Sequence, residues 1–306
     1  MNRISVRHFC LVLFVLIYAG LIPSARADEH LKYRLENDLQ RIKVAAAKNV
    51  DFLVLDGASN ANDAAQVASF LGPDSNQDSA TVKDIKSTFG AKEQSHIRFR
   101  AFPFTIPAGP STKPRNICII KFDYSTQYTL DGLLAMLKTS RASVAAQGID
   151  LSKITADRLL AHIWHHEVWH CMDMLGGKAD SYAFMLDNTS YPMDTLFVAY
   201  KRFTEIGADV FASMLDIQKY GDPEVSKLVA YVRKQNLNIQ DLEHYSSPAI
   251  MDVVKGGNKI RHYSLKQIVA ATDVVRQRYT SSIDRFANMK EAYDPMDKEV
   301  GAVLMK

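Results

Sequence analysis

Cysteine is scarce in this sequence, with three residues in a chain of 306. Cys10 lies within an apolar N-terminal run, which leaves Cys118 and Cys171 as a single candidate pair. A disulfide between them would be chemically permissible if the protein is exported to an oxidising compartment. The bond would close a loop of about 50 residues and contribute about 2–4 kcal/mol on the chain-entropy model. The alternative is two buried free thiols that pack as small hydrophobic side chains, and the sequence leaves both open.

The sequence also lacks an apolar run long enough to span a membrane. The run at 9–22 is short and follows Arg3 and Arg7, and Ala25-Arg26-Ala27 comes after it as an A-x-A cleavage site. We therefore predict a signal peptide over 1–27 and export to the periplasm or the extracellular space. No stable membrane anchor is expected after cleavage. An uncleaved N-terminal anchor is the alternative.

Net charge is absent once this segment is removed. The whole chain carries 37 Lys plus Arg and 34 Asp plus Glu, but segment 1–27 contains three arginines and no acidic residue. The mature balance is therefore 34 against 34. Because nucleic-acid binding normally requires a basic face, we expect no nucleic-acid partner. The chain also shows no internal repeat and no low-complexity tract.

The most informative motif that is present is His166-Glu167-Val168-Trp169-His170. Two histidines four residues apart lie one above the other on a helix face, so both imidazoles can reach one metal ion. Glu167 then points towards the water that such a metal binds and can accept its proton. Apolar residues flank the motif, as a buried helix requires. The pattern resembles the active-site helix of zincin metallopeptidases, which implies a Zn²⁺ cofactor.

Hydrophobic periodicity and turn signals predict an α+β chain. Strands are expected at 97–106, with Pro103 indicating an edge, and at 116–122. The HExxH helix should begin after Thr155 or Ser152 and end near Met174. Other helices are predicted at 31–50, 60–70, 130–147, 192–220, 223–236, 247–255 and 265–289.

This order resembles the zincin layout, in which a small mixed sheet packs on the HExxH helix and a mostly helical C-terminal half follows. We predict a single catalytic domain over 28–306. Its N-terminal part, about 28–150, would hold strands and helices, and its metal-binding helical part would span about 151–306.

A catalytic zinc needs three protein ligands and one open position, and Glu205-Ile206-Gly207-Ala208-Asp209 offers the third. The stretch resembles the E-x-x-x-D pattern of gluzincins such as the thermolysin-like enzymes. This resemblance implies that Glu205 binds zinc and that Asp209 accepts a hydrogen bond from a ligand imidazole. Gly207 and Ala208 would let this helix approach the HExxH helix closely. The alternative is that both acids lie on an ordinary solvated helix face.

Two other ligand patterns fit less well. An HExxHxxGxxH motif fails because Asp173 and Gly176 occupy the positions of its glycine and third histidine. A G-T-x-D-x-x-Y-G pattern would make Asp180 the ligand, but Lys178 replaces its threonine and Tyr182 falls one place early. Asp180 is therefore the weaker candidate.

A residue opposite the metal must stabilise the oxyanion, and zincins commonly use His or Tyr. His-Tyr-Ser occurs twice, and His244 and His262 are the two candidates; the alternative is chance recurrence in loops. The sequence thus predicts an exported zinc metallopeptidase with Glu167 as general base and a peptide or protein as substrate. We expect an extended substrate to pair with a strand edge at 116–122. A zinc-binding protein without catalysis and a metal-free helical interaction protein are the alternatives.

Overall fold

The computed structural model describes residues 30–59, 61–73, 75–90, 98–125, 128–177, 193–235 and 242–280. These residues form a three-stranded sheet in the order β1-β3-β2. Strand β1 (Val50–Asp56) is parallel to β3 (Arg115–Phe122), and β2 (Phe99–Ile106) is antiparallel to β3. The predicted α+β class with a small mixed sheet is therefore confirmed. The predicted signal peptide and Asp180 lie outside the described residues.

The helices of the described residues surround this sheet and make up the C-terminal half. None of them is both long enough and apolar enough to cross a membrane. They are α1 (30–46), α2 (Asp63–Leu71), α3 (Ala80–Gly90), α4 (Leu130–Met136), α5 (Arg141–Ala145), α6 (Ala156–Leu175), α7 (Met193–Tyr220), α8 (Glu224–Gln235), α9 (Ser247–Lys255), α10 (Gly257–Ile260) and α11 (Leu265–Thr280).

Several elements in the N-terminal half differ from the sequence prediction. The first helix ends at 46 and is followed by β1, which was not predicted because its pairing with β3 joins residues more than 60 positions apart. Helix α3 was also not predicted. The predicted helix at 130–147 is two helices, because Lys138 adopts a positive φ of 56° and Ser140 starts α5 by capping Ser143.

The position of β2 and β3 in the sheet decides where an extended partner can bind. Pro103 correctly indicated an edge, since β2 pairs on one side only. Strand β3, in contrast, is central and its residues 117–122 are buried. The expectation that a substrate pairs with 116–122 is therefore wrong, because both edges of that strand already carry neighbours. The free edge nearest the HExxH helix belongs to β2.

Helix α6 carries the HExxH motif and lies between the sheet and α7. It begins where predicted, since the Thr155 side chain accepts a hydrogen bond from the Arg158 amide, and it ends at Leu175 before Gly176. On the sheet side, Trp164 packs edge-on against Phe122 with ring centroids 5.0 Å apart. Packing of this kind against the sheet buries that side of α6 and fixes which of its faces turns towards α7.

Gly207 lets α7 approach α6 closely, as the sequence predicted. A Cβ atom at this position would lie 2.5 Å from Trp169 Nε1, closer than atoms can pack, and 3.0 Å from Arg276 Nη1, a tight contact. A side chain here would therefore push the two helices apart. This close contact sets the separation between the HExxH motif on α6 and the acidic residues on α7.

The structure joins Cys118 of β3 to Cys171 of α6 in a disulfide, with a Cα–Cα distance of 5.8 Å. This distance lies within the usual range for such bonds. Both cysteines are fully buried, so the crosslink ties the sheet to the helix that carries the HExxH motif.

We expect the double substitution Cys118→Ala/Cys171→Ala to lower the free energy of unfolding by about 2–4 kcal/mol, because the unfolded chain regains the entropy of the closed loop. Chemical denaturation of the variant beside the unreduced wild type measures this change. Thiol titration of denatured, unreduced mature protein checks the bond itself. Two free thiols per chain would show that the pair is not crosslinked.

Candidate metal centre

Three donor side chains from two helices meet at one point. His166 and His170 lie on successive turns of α6, and Glu205 faces them from α7. Their ligand atoms all lie within 4.8 Å of one another. Each side chain is largely buried but keeps between 12% and 16% of its surface exposed. The group is thus enclosed by protein yet open to water on one side.

The distances between the donor atoms match a tetrahedral zinc site. Zn–N and Zn–O bonds of about 2.0–2.2 Å at tetrahedral angles separate neighbouring ligand atoms by about 3.4 Å. The two Nε2 atoms of His166 and His170 lie 3.1 Å apart. Glu205 Oε2 lies 3.4 Å from His166 Nε2, and Glu205 Oε1 lies 3.3 Å from His170 Nε2. Two imidazoles and one carboxylate at these separations fit zinc.

Asp209 orients the first histidine. Its Oδ1 lies 2.8 Å from His166 Nδ1. An ionised carboxylate can only accept hydrogen bonds, so His166 donates from Nδ1, and in the neutral ring Nε2 then carries the lone pair that a metal would bind. The E-x-x-x-D pattern implied this contact of Asp209 in addition to Glu205 as a ligand. The contact selects the His166 tautomer that a metal ligand requires.

Arg233 and Ser246 hold Asp209 in place. Arg233 of α8 donates to Asp209 from Nε at 2.7 Å and from Nη2 at 3.0 Å. The Ser246 hydroxyl also donates to this carboxylate. Arg233 Nη2 in addition lies 3.7 Å from Glu205 Oε2. Asp209 is 1% exposed, so these donors replace the hydration that a buried carboxylate loses.

The charges of the centre favour a cation. Burial raises the pKa of Asp209, but Arg233 and His166 outweigh burial and hold it well below its usual range. Burial likewise opposes ionisation of Glu205, and His170 and His166 nevertheless lower its pKa well below normal. Burial lowers the pKa of His166, whereas Asp209 and Glu205 raise it to about 10. Two carboxylates that stay ionised at neutral pH therefore attract positive charge to the imidazoles.

Glu167 follows the first ligand and lies against the edge of the sheet. Its Oε2 accepts a hydrogen bond of 2.7 Å from the Ala101 amide of β2.

Asp123 N donates to Arg98 O at the end of the β2–β3 ladder. Hydrogen-bonded and non-hydrogen-bonded residue pairs alternate along an antiparallel ladder. Because Arg98 is hydrogen-bonded to Asp123, the Ala101–Ile120 pair is a non-hydrogen-bonded one. Ala101 and its alternate neighbours therefore direct their backbone groups away from β3. Pro103 occupies one of these outward positions, so its missing N–H removes no hydrogen bond between β2 and β3.

A cleft of about 450 Å³ opens over the centre. It places the general-base candidate, the three ligand candidates and the β2 edge in one space. Its lining residues are Arg100, Ala101, His166, Glu167, His170, Lys201, Glu205, Arg233, Glu243 and His244.

The structure brings one of the two oxyanion candidates to this cleft. His244 lines it, and its Nε2 lies 3.8 Å from Glu205 Oε2. His262 is exposed in the turn after α10, where the carbonyl of neighbouring Tyr263 accepts a hydrogen bond from Gln218. Gln218 lies 13 residues beyond Glu205 on α7, about 20 Å along the helix axis. His262 is therefore separated from the site.

Arg233, Ser246 and the Ala101 amide were not predicted from the sequence. Helix α8 was predicted, but nothing in its sequence indicates that Arg233 reaches back to α7. Ser246 belongs to the first His-Tyr-Ser stretch, where the histidine alone was considered. The Ala101 amide carries no side-chain signal, although Pro103 marked the strand as an edge. A search for donors able to satisfy the buried Asp209 carboxylate could have pointed to Arg233 and Ser246.

The contact between Asp209 and His166 predicts a measurable effect on metal affinity. We expect Asp209→Asn to weaken zinc binding by about 10–100-fold, because the amide holds the His166 tautomer less firmly. Asp216→Asn is the matched control: Asp216 lies on the same helix and is buried, but it pairs with Arg158. Chelator competition measures both variants. Equal affinity of Asp209→Asn and wild type would show that Asp209 does not support a ligand.

Comparisons of the chain with protein-family models, with curated proteins and with solved structures find no match. The site must therefore be interpreted from its own geometry.

Proposed function

We propose that this protein is an exported zinc metallopeptidase of the gluzincin type, on a zincin-like fold, that cleaves a peptide or protein substrate. The observation that carries the proposal is the meeting of His166, His170 and Glu205 at zinc-like distances, with Glu167 beside them on the open side. Donor distances alone would suit a structural metal. A carboxylate placed next to an open, three-ligand site is what a hydrolase requires in addition.

The ligand set indicates which chemistry the metal supplies. Zinc held by two imidazoles and one carboxylate acts as a Lewis acid and lowers the pKa of a water in its fourth position towards neutrality. His166, His170 and Glu205 would hold it. Asp209 fixes the direction of the His166 lone pair, and Arg233 keeps Asp209 ionised and in place.

Glu167 moves the proton. Its carboxylate would accept a proton from the attacking water and then deliver it to the amine that leaves. The Ala101 amide holds one of its oxygens at 2.7 Å, so the other oxygen is the one directed to the reaction. Fixing the base in this way lowers the entropic cost of reaching the reactive geometry.

The β2 edge would align the substrate. An extended peptide placed along the cleft can pair with the outward carbonyls of Ala101 and its alternate neighbours, since the Ala101 amide already binds Glu167. This pairing would set the carbonyl to be attacked between Glu167 and His244. His244 is the group on the opposite wall and would donate a hydrogen bond to the oxyanion.

A non-catalytic zinc protein is the second candidate, and hydrolysis separates the two. We expect zinc-loaded mature protein to cleave members of a broad peptide library, to lose this activity with a chelator and to regain it when zinc is restored. The Glu167→Gln variant is the control for contaminating peptidases, because it should bind zinc without cleaving. Chelator-sensitive binding of zinc with no cleavage of any peptide would favour the non-catalytic alternative.

A further inference from the structure

One chain of hydrogen bonds joins a zinc-ligand candidate to the oxyanion candidate. The Asp209 carboxylate accepts from His166 Nδ1 at 2.8 Å and also from the Ser246 hydroxyl. The Ser246 amide in turn donates to the His244 carbonyl at 3.0 Å. Asp209 and Ser246 therefore connect the metal centre to the residue on the opposite wall of the cleft.

Asp209 is the fixed end of this chain. It lies within α7, is 1% exposed and is also bound by two nitrogens of Arg233. His244, in contrast, lies in the turn that precedes α9, and its side chain is 34% exposed. An exposed turn has few buried contacts, so its position depends on the side chains that anchor it. The Ser246 hydroxyl ties this turn to the fixed carboxylate.

Ser246 occupies a helix-capping position, but its side chain does not cap the helix. The amides of Ala249 and Ile250 donate to its carbonyl at the start of α9, whereas its hydroxyl makes no capping hydrogen bond. Serine at this position normally accepts from an amide two or three residues further on. Here the hydroxyl donates to Asp209 instead, and Ser246 is fully buried.

The second His-Tyr-Ser stretch shows the usual arrangement. Ser264 precedes α11, and its hydroxyl accepts from the Gln267 amide at 3.4 Å while the Gln267 side chain accepts from the Ser264 amide at 2.8 Å. This reciprocal pair is a capping box, and His262 beside it is exposed. The same tripeptide thus caps one helix and leaves the other without a side-chain cap. Stabilisation of α9 therefore does not explain the contact between Ser246 and Asp209.

We propose that Ser246 is a positioning residue, which holds His244 over the cleft by binding Asp209. The inference rests on the proposed peptidase function and adds to it a residue that acts through His244. One carboxylate then orients both the first zinc ligand and the turn that carries the oxyanion donor. Such a donor is effective only when it is held in advance at the place where charge develops.

Ser246→Ala should lower kcat by about 10-fold, because a contact made in the transition state is held less firmly. KM and zinc content should stay near wild type, since Asp209 keeps its other donors. His244→Ala should cost about 10²–10³-fold in kcat. Adding Ser246→Ala to His244→Ala should cost nothing more, because the residue that Ser246 positions is then absent.

Two serines provide matched controls for this cycle. Ser264→Ala makes the same change in the identical tripeptide, and Ser226→Ala makes it at a fully buried position where the hydroxyl contacts the Ser213 carbonyl. Both variants should keep the wild-type kcat. Wild-type kcat in Ser246→Ala, or effects of Ser246→Ala and His244→Ala that multiply in the double variant, would overturn the proposal.

A spectroscopic measurement keeps the inference separate from catalysis. In zinc-loaded wild type, NMR relaxation of ¹³C-labelled histidines should show a more restricted ring for His244 than for His262. Ser246→Ala should remove this difference, and the wild-type comparison holds even if that variant does not fold. A restricted His244 without cleavage of any peptide would overturn the enzyme proposal and keep the positioning role. Cleavage by a wild type in which the two rings are equally mobile, or a His244 that stays restricted in Ser246→Ala, would overturn the role of Ser246.

Discussion

Glu167→Gln is expected to reduce peptide hydrolysis by about 10²–10⁴-fold while zinc content and thermal melting stay at wild-type levels. The amide is nearly isosteric with the carboxylate and can still accept the hydrogen bond from the Ala101 amide. It cannot accept a proton at neutral pH. The substitution therefore removes general-base catalysis and leaves the metal ligands and the fold intact. Turnover of the best peptide substrate, measured beside zinc content and melting temperature, gives the result.

Glu243→Gln provides the matched control for this experiment. Glu243 lines the same cleft but pairs with Lys201 at 2.9 Å. The same chemical change there should alter turnover by only a few-fold, since Glu243 pairs mainly with Lys201 and approaches the His244 ring only to 4.0 Å. Activity of Glu167→Gln within a few-fold of wild type would remove Glu167 from the mechanism.

His166→Ala and His170→Ala are each expected to abolish stoichiometric zinc binding and, with it, hydrolysis. Each substitution leaves two protein ligands where a catalytic site needs three. His165→Ala is the control on the same helix, because His165 lies beside His166 but faces Asp38. Metal analysis after gel filtration checks all three variants. Full zinc occupancy in His166→Ala or His170→Ala would show that the metal binds elsewhere on the chain.

The local part of the site could be predicted because helix periodicity is strict. Residues four apart on a helix share a face, so the sequence alone placed His166 beside His170 and Glu205 beside Asp209. The apolar residues around both pairs indicated that the two helices are buried, and Gly207 indicated that they approach closely. The structure adds the contact between the pairs, at 2.8 Å from His166 to Asp209.

The remaining part depends on contacts between residues far apart in the sequence. Arg233 reaches Asp209 from another helix, and the Ala101 amide reaches Glu167 across 66 positions. No local pattern encodes such contacts. The two His-Tyr-Ser stretches show the same limit, because identical tripeptides place His244 in the cleft and His262 in a distant exposed turn.

The fold was predictable to a similar extent. The bounds of α6 were predicted closely, with a cap at Thr155 or Ser152 and an end near Met174, because a capping hydroxyl and a helix-ending glycine such as Gly176 are local signals. Strand β1 and the central position of β3 were missed, since both follow from pairing between distant segments. That error moved the expected substrate edge to the wrong strand.

The zinc content of purified mature protein, compared between wild type and Glu205→Ala, shows whether His166, His170 and Glu205 together bind zinc. We expect about one zinc per chain in wild type and a severe loss of affinity in Glu205→Ala, because one of the three ligands is removed. No zinc above background in wild type purified without chelators would contradict the metal centre. Equal zinc binding by both proteins would show that the third ligand is not Glu205.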